Sequence, residues 1–325
     1  MSDQTRTQTL SRLNSPHKTD GTARRVGIEV EFAQLDEAAA ARTFATATGG
    51  TVRQDDDAWV CDTEHFGACT FYLDTRYRAD VARLGGEAAL DAARLVIPVE
   101  LVTDPFDPAH LSRFDAALAT LRQAGAVGTK ASPVHGFGVH LNVETASPEG
   151  AGVARVATAF ALLEPLLREA IDLDLSRRLL PFIEPFPRPL VTALADQPDR
   201  SLDALATTVL AHSTSRNHGL DLLPILAHGA EDVVAAHVDP DTKIAPRPAY
   251  HYRLPESRID APDWGVTQDW ELWCRIEDVA ADDATLDALA RAWRDWDAGV
   301  HLGRASWAEQ SRGILADHGL EKDIA

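Results

Sequence analysis

The sequence predicts an α+β fold in which a mostly antiparallel sheet packs against helices. Two observations favour this fold class. Several segments alternate apolar and polar residues with a period of two, which is typical of half-buried strands, as in VGIEVEF at residues 26–32. Helical segments lie between and after them in a mixed order rather than in a strict βαβ alternation. We therefore expect one sheet whose apolar face packs on the helices.

Six segments have the alternation or the apolar content of strands. They are residues 26–32, 51–60, 68–74, 94–103, 136–143 and 249–254. A charged turn over 61–67 is expected between the second and the third. Because proline cannot donate a ladder hydrogen bond, Pro98 favours an edge position or a bulge for the fourth.

Six helices are predicted from apolar residues at helical spacing, alanine content and end signals. They are residues 36–47, a helix between Pro108 and Gly125, residues 153–173, a helix capped by Ser201, and residues 284–298 and 304–317. Pro165 is expected to kink or break the third helix. The proline-rich stretch 181–189 is expected to form a loop.

The chain is expected to contain a single domain over residues 24–325, with helices at its C-terminal end. Residues 1–23 are polar and have no apolar run, so we expect a flexible arm there. The arm lacks the features of a secretory signal, and no apolar stretch reaches the ~20 residues that span a membrane. We therefore expect a cytoplasmic protein with no membrane partner.

The charge balance excludes one class of partner. Asp and Glu total 50 against 31 Lys and Arg, a formal charge of −19, which argues against binding along a nucleic-acid backbone. A nucleotide remains compatible with this charge, since a divalent metal ion neutralises phosphates locally. The three cysteines have no CxxC spacing and are interpreted as small buried residues rather than disulfides or a zinc site.

Side chains of metal-ligating and phosphate-binding types recur on several predicted strands, on the face opposite the apolar residues. They are Glu29 and Glu31, Asp74, Glu100, His140 and Asn142, and His251 and Arg253. Carboxylates two residues apart on a strand lie about 6.6 Å apart at their Cα atoms, and a divalent cation relieves their repulsion. Oxygen ligands with one or two imidazoles suit Mg²⁺ or Mn²⁺. The alternative is a solvated strand face with incidental ion pairs.

Several common catalytic motifs are missing from the sequence. It contains no GxxxxGK[ST], no GxGxxG after a strand, no HExxH and no GxSxG. A P-loop, a Rossmann dinucleotide site, a zincin and a hydrolase elbow therefore lack their signatures.

Four segments, GIEVEF, ELVTDP, GFGVHLNV and YHYRLPESRID in this order, resemble the amidoligase family. That family belongs to the carboxylate–amine ligase superfamily of glutamine synthetase and γ-glutamylcysteine ligase. The resemblance covers roughly residues 24–277. It implies a glutamine-synthetase-like catalytic fold, with a curved sheet lined by acidic and histidine residues on one face and packed by helices on the other.

The resemblance implies a role for each matching residue. The implied metal ligands are Glu29, Glu31, Glu100 and His140, with His251 as a further ligand and Asp74, or its rival Asp62, as an additional acidic residue. The implied catalytic residues, which contact the transferring phosphoryl group, are Arg253 and Arg258. The implied nucleotide-binding residues are Arg253, Arg216 and Asn142. Lys130 is a further candidate because it flanks the GFGVHLNV segment in the sequence. His251 stands where the family usually has Glu, and Asn142 stands where it usually has a second His.

The implied function is that of an ATP-dependent ligase that joins a carboxylate to an amine through an acyl phosphate. ATP and Mg²⁺ (or Mn²⁺) would be its cofactors, and small-molecule or peptide carboxylates and amines its substrates; an oligomer is compatible with the sequence. Two alternatives stay open. One is a metal-dependent hydrolase using the same carboxylate and histidine face. The other, motivated by His251 and Asn142, is a non-catalytic homologue that binds a nucleotide or metabolite.

Overall fold

The computed structural model describes residues 13–73, 98–131, 136–147, 150–171, 173, 183–299 and 304–320. Its strands are β1 (Val26–Phe32), β2 (Thr51–Asp55), β3 (Ala58–Thr63), β4 (Gly67–Leu73), β5 (Val99–Thr103), β6 (Val139–Glu144), β7 (Leu220–Asp221) and β8 (Ala249–Tyr252). They form one sheet in the order β2-β3-β4-β5-β1-β6-β8-β7. Every neighbouring pair is antiparallel. A mixed α and β fold built on an antiparallel sheet is therefore confirmed.

Ten α-helices lie within the described residues. They are α1 (Glu37–Thr48), α2 (Leu111–Gln123), α3 (Ala151–Ala170), α4 (Arg188–Asp196), α5 (Leu202–His212), α6 (Leu223–Gly229), α7 (Glu231–His237), α8 (Val266–Ala281), α9 (Asp283–Asp297) and α10 (Ala305–Asp317). The predicted cap of α5 is confirmed, because Ser201 Oγ accepts a hydrogen bond from Ala204 N at 3.3 Å. No helix in the described part of the chain is long and apolar enough to cross a membrane.

The apolar face of the sheet packs against helices through aromatic side chains. On β4, Phe71 meets Phe44 of α1, with ring centroids 5.6 Å apart. On β8, Tyr252 meets Phe160 of α3 at 6.2 Å and Trp273 of α8 at 5.5 Å. The apolar residues of β1 are fully buried on this same side. The acidic residues of β1 therefore face away from these helices.

The prediction of one strand over 51–60 was wrong. The structure has a hairpin there. Its strands β2 and β3 pair from Thr51 opposite Asp62 to Asp55 opposite Ala58. Asp56 adopts a left-handed backbone conformation at the turn, with φ of 49°, which aspartate tolerates better than most residues. The acidic run that includes Asp56 thus makes the chain reverse rather than extend.

The two expectations based on internal prolines also need correction. Pro98 comes directly before β5, which starts at Val99 and lies between β4 and β1. The proline therefore removes no ladder hydrogen bond, and the strand is neither at an edge nor bulged by it. Pro165 lies inside α3, which continues to Ala170 as one helix, so the helix is not broken there, and the expected kink stays a prediction.

The predicted arm lies partly within the described residues. Leu13 is buried in the core, His17 forms an isolated bridge with Ala23, and Thr19 N donates to Ala146 O at 3.0 Å. Residues 1–12 lie outside the described part of the chain. The segment before β1 thus makes specific contacts with the end of β6.

A buried ion pair anchors the start of β1 to α8. Arg24 donates to both carboxylate oxygens of Glu277, at 2.8 and 2.6 Å, and to Glu144 O at 2.6 Å. Glu277 also accepts from Trp273 Nε1 at 2.9 Å. The two charged side chains are 2% and 6% exposed, so removal of one partner would leave the other charged and buried.

We expect Glu277→Ala to lower the free energy of unfolding by about 3–5 kcal/mol, because Arg24 would remain buried without its counter-ion. Urea denaturation followed by circular dichroism measures this change. The matched control is Glu309→Ala on the exposed surface of α10, for which we expect a change within about 0.5 kcal/mol. Equal stabilities of the two variants would contradict this account of the anchor.

Candidate functional site

The register of four strands brings the predicted site residues onto one face of the sheet. Glu29 on β1 lies directly opposite His140 on β6. Asn142, two residues along β6, lies opposite His251 on β8, and His251 lies opposite Asp221 on β7. Because side chains alternate along a strand and directly paired residues share a face, all five point to the side away from Phe71 and Tyr252.

The Glu29 carboxylate is the centre of this arrangement. Its Oε2 accepts a hydrogen bond from His140 Nδ1 at 2.6 Å, and its Oε1 accepts from Asn142 Nδ2 at 2.8 Å. Asn142 in turn accepts at Oδ1 from Arg247 Nη2 at 2.6 Å. The amide of Asn142 is thus held at both ends, and it orients Glu29.

The charge states of this pair follow from its surroundings. Burial would raise the pKa of the Glu29 carboxyl, but the neighbouring His140 and His251 hold that pKa well below its usual range. Burial lowers the pKa of the His140 imidazole to about 4, against the pull of Glu29 and with further lowering by Arg253 and His251. At neutral pH Glu29 is therefore ionised and His140 neutral. Since a carboxylate only accepts hydrogen bonds, the proton of His140 lies on Nδ1.

A second carboxylate fixes the orientation of His251. His251 Nδ1 lies 3.3 Å from Asp221 Oδ2, an oxygen that also accepts from Arg216 Nε at 3.0 Å and Nη2 at 2.9 Å. Leu223 N donates to the other oxygen at 3.0 Å. Burial would raise the pKa of Asp221, but His251 and Arg216 lower it. His251 is thereby held with its Nε2 atom on the side of Glu29.

Glu29, His140 and His251 form the one group of three described residues whose potential ligand atoms all lie within 4.8 Å of one another. The Nε2 atom of His251 is 3.9 Å from Glu29 Oε2. It is buried and has no hydrogen-bond partner among the described residues. A buried nitrogen without a partner, aimed at an ionised carboxylate, fits a metal ligand. Ligands of a first-row ion lie at about 2.0–2.2 Å from it. For these three residues to share one ion, their side chains would shift and His140 Nδ1 would release the proton that it now donates to Glu29.

Glu31 and Glu100 form a separate pair of carboxylates on the same face. They are direct partners across the β1–β5 ladder, and Glu31 Oε2 accepts a hydrogen bond from Gly138 N at 2.7 Å. Neither joins the group of Glu29, His140 and His251. The structure thus places the predicted acidic ligands in two neighbouring subsets, one with imidazoles and one made of carboxylates only.

Three more cationic residues were predicted at the site: Arg253, Lys130 and Arg258. Arg253 directly follows β8 and donates a hydrogen bond through Nη1 to the carbonyl oxygen of Arg216. Burial lowers the pKa of Arg253, and the nearby charges of Asp221, Glu31 and Glu29 oppose this lowering. Lys130 and Arg258 directly follow Thr129 and Ser257 in the sequence. These two segments are joined by a hydrogen bond from Thr129 N to Ser257 O at 2.8 Å. The Nε atom of Arg258 is buried and has no hydrogen-bond partner in the described structure.

Two residues of the site were not predicted from the sequence. Asp221 lies between the buried residues Leu220 and Leu222, and an acid in an apolar segment is a signal that could have found it. Arg247 lies in the irregular segment before β8 and has no such signal. Asp74 lies outside the described residues, whereas its rival Asp62 is exposed and paired with Arg53 at 3.1 Å.

A family model described as "putative amidoligase enzyme" matches residues 22–275, more than three quarters of the chain. The chain belongs to the amidoligase family. No curated protein and no solved structure matches it. The matched range includes every strand of the sheet and every described residue of the site. Membership of the amidoligase family therefore indicates an enzyme of the ligase kind, with the polar sheet face as its candidate active site.

We expect the His140 imidazole of this amidoligase to titrate near pH 4 in the folded protein, since burial disfavours its charged form. Imidazole ¹⁵N chemical shifts measure this pKa, and the same protein unfolded in urea, where histidine titrates near 6.5, is the control. Between these two values the unfolded chain binds the extra proton, so stability falls as the pH falls through this window. A folded-state midpoint near 6.5 would contradict this description of the site.

Proposed function

We propose that this amidoligase is an ATP-dependent ligase that joins a carboxylate to an amine. In the proposed reaction the substrate carboxylate attacks the γ-phosphorus of ATP, forming an acyl phosphate and releasing ADP. The amine nitrogen then bonds to the acyl carbon while phosphate leaves with the bonding electrons, and the amine loses a proton. The observation that carries the proposal is the convergence of carboxylates, imidazoles and Arg253 on one sheet face of an amidoligase-family chain.

The proposed cofactors are ATP and a divalent cation, Mg²⁺ or Mn²⁺. Glu31 and Glu100 would provide carboxylate oxygens for the Mg²⁺ or Mn²⁺ that accompanies the nucleotide, and Glu29, His140 and His251 would hold a further divalent ion. Bound cations would neutralise charge on the phosphates during phosphoryl transfer. The glutamine-synthetase-like relationship implied by the sequence belongs to this proposal, and the antiparallel sheet with helices on one face supports it.

Arginine side chains supply the positive charge that a triphosphate needs. In the proposal Arg253 contacts the transferring phosphoryl group, because it lies beside Glu29 and Glu31 and its planar fork suits two phosphate oxygens. Arg258 and Lys130, on adjoining segments, would bind the remaining phosphates. Arg216 already donates to Asp221, and Asn142 already donates to Glu29. In the proposal they therefore affect nucleotide binding indirectly, by positioning these two carboxylates.

A metal-dependent hydrolase is the second candidate, and one observation favours it. Two imidazoles and one carboxylate, as in Glu29, His140 and His251, are also the donor set of some zinc hydrolases. A non-catalytic homologue that binds a nucleotide is the third candidate. The three differ in what they do with ATP.

Release of ADP distinguishes the candidates. The full-length protein is incubated with ATP and Mg²⁺ or Mn²⁺ against a panel of amino acids, peptides and amines. We expect ADP release that requires both a carboxylate and an amine, together with one amide per ADP. Cleavage of amides or esters without ADP would identify the hydrolase, and thermal stabilisation by ATP without turnover would identify the non-catalytic homologue.

We expect Glu31→Gln to reduce ADP release by at least about 10²-fold, because a neutral amide cannot provide the charge that helps to hold a cation at the phosphates. The Gln side-chain oxygen can still accept the hydrogen bond from Gly138 N, so the fold is preserved. Steady-state ADP formation and thermal unfolding are measured together. Glu309→Gln on α10 is the control, and unchanged turnover in Glu31→Gln would remove Glu31 from the site.

A further inference from the structure

The centre formed by Glu29, His140 and His251 differs from a typical magnesium site in its donor atoms. Mg²⁺ is bound through oxygen, from one or two carboxylates, phosphates and water. Here two of the three donors are imidazoles, and imidazole favours zinc, copper, iron and nickel. We propose that this centre binds a first-row transition-metal ion in preference to Mg²⁺.

The first argument is the position of the His251 imidazole. Its Nε2 atom is buried without a hydrogen-bond partner in the described structure and lies 3.9 Å from Glu29 Oε2. Leaving a buried polar atom without a partner costs free energy. Binding of a transition-metal ion by this nitrogen would offset that cost, whereas Mg²⁺ gains little from a nitrogen ligand.

The second argument is the support of His251 by Asp221. A metal-bound histidine usually donates its other ring N–H to a carboxylate or a carbonyl, which fixes the tautomer and the ring orientation. Asp221 accepts from His251 Nδ1 at 3.3 Å and is itself held by Arg216 and by Leu223 N. In the neutral imidazole this leaves the lone pair on Nε2. Asp221 is therefore a positioning residue for a nitrogen ligand.

The third argument is charge. Glu29 is the one anionic donor of the centre, and the nearby cations oppose binding that depends on charge alone. Arg247 is hydrogen-bonded to Asn142, which contacts Glu29, and Arg253 lies near His140. An ion bound mainly through its charge would lose affinity here. A transition-metal ion, which accepts lone pairs strongly from nitrogen, would lose less affinity.

This inference rests on the proposed function for the presence of a metal ion at the site, but its test needs neither ATP nor turnover. The full-length protein is freed of metal with EDTA and titrated with Co²⁺ in the presence of excess Mg²⁺. Visible absorption reports the bound Co²⁺, and calorimetry compares Zn²⁺ with Mg²⁺. We expect one Co²⁺ per chain, bound at least about 10²-fold more tightly than Mg²⁺. Displacement of Co²⁺ by an equal concentration of Mg²⁺ would overturn the inference.

Variants locate the bound ion. We expect His251→Gln to abolish the Co²⁺ absorption bands, and Asp221→Asn to weaken Co²⁺ binding by about 10–100-fold. The control is His65→Gln, since His65 and His110 form a second histidine pair, with ring centroids 4.4 Å apart, that does not belong to the site. Thermal unfolding of the metal-free variants shows whether each is folded. Loss of binding in His65→Gln, with binding retained in a folded His251→Gln, would also overturn the inference.

The two proposals fail in different ways. Tight Co²⁺ binding without ADP release under any metal would support the metal centre and remove the ligase. ADP release supported by Mg²⁺, with no preference for Co²⁺ or Zn²⁺ in the binding assay, would support the ligase and remove the preference proposed for this centre.

Discussion

The antiparallel register between β1 and its neighbours is the constraint on which the candidate site depends. The pairing of Glu29 with His140, and of Asn142 with His251, brings residues from distant parts of the sequence within hydrogen-bond range. A slip of one residue would turn Glu29 and Glu31 toward the helices and expose Ile28 and Val30 to solvent. Burial of the apolar face therefore fixes the geometry of the polar face.

The site concentrates both signs of charge within a strongly acidic chain. Glu29 and Asp221 are ionised although largely buried, and each is held by hydrogen bonds from several donors. Arg247 and Arg253 lie beside them, so the local field differs from that expected of a chain with a net charge of −19. This mixture of charges suits the anionic substrate and the metal ion that we propose, since a uniformly acidic surface would repel the anionic substrate.

The sequence predicted the central features of the fold and the site because they have a local signature. The alternation in VGIEVEF specifies a strand with one apolar and one acidic face, and the same pattern at His140 and His251 predicted their shared orientation. Features that depend on distant contacts were not predictable in this way. Asp221 lies on the two-residue strand β7, which is too short for any periodicity, and Arg247 reaches Asn142 from an irregular segment. The β2–β3 hairpin was missed because strand-like residues lie on both sides of its short turn, so residues 51–60 were interpreted as one strand.

Anomalous X-ray diffraction from crystals grown with Zn²⁺ and a non-hydrolysable ATP analogue tests the central claim most directly. The account predicts an anomalous peak within about 2.0–2.2 Å of Glu29, His140 and His251, with the phosphates of the analogue on the same face of the sheet. A peak confined to other histidines, or phosphates bound on another surface, would contradict it.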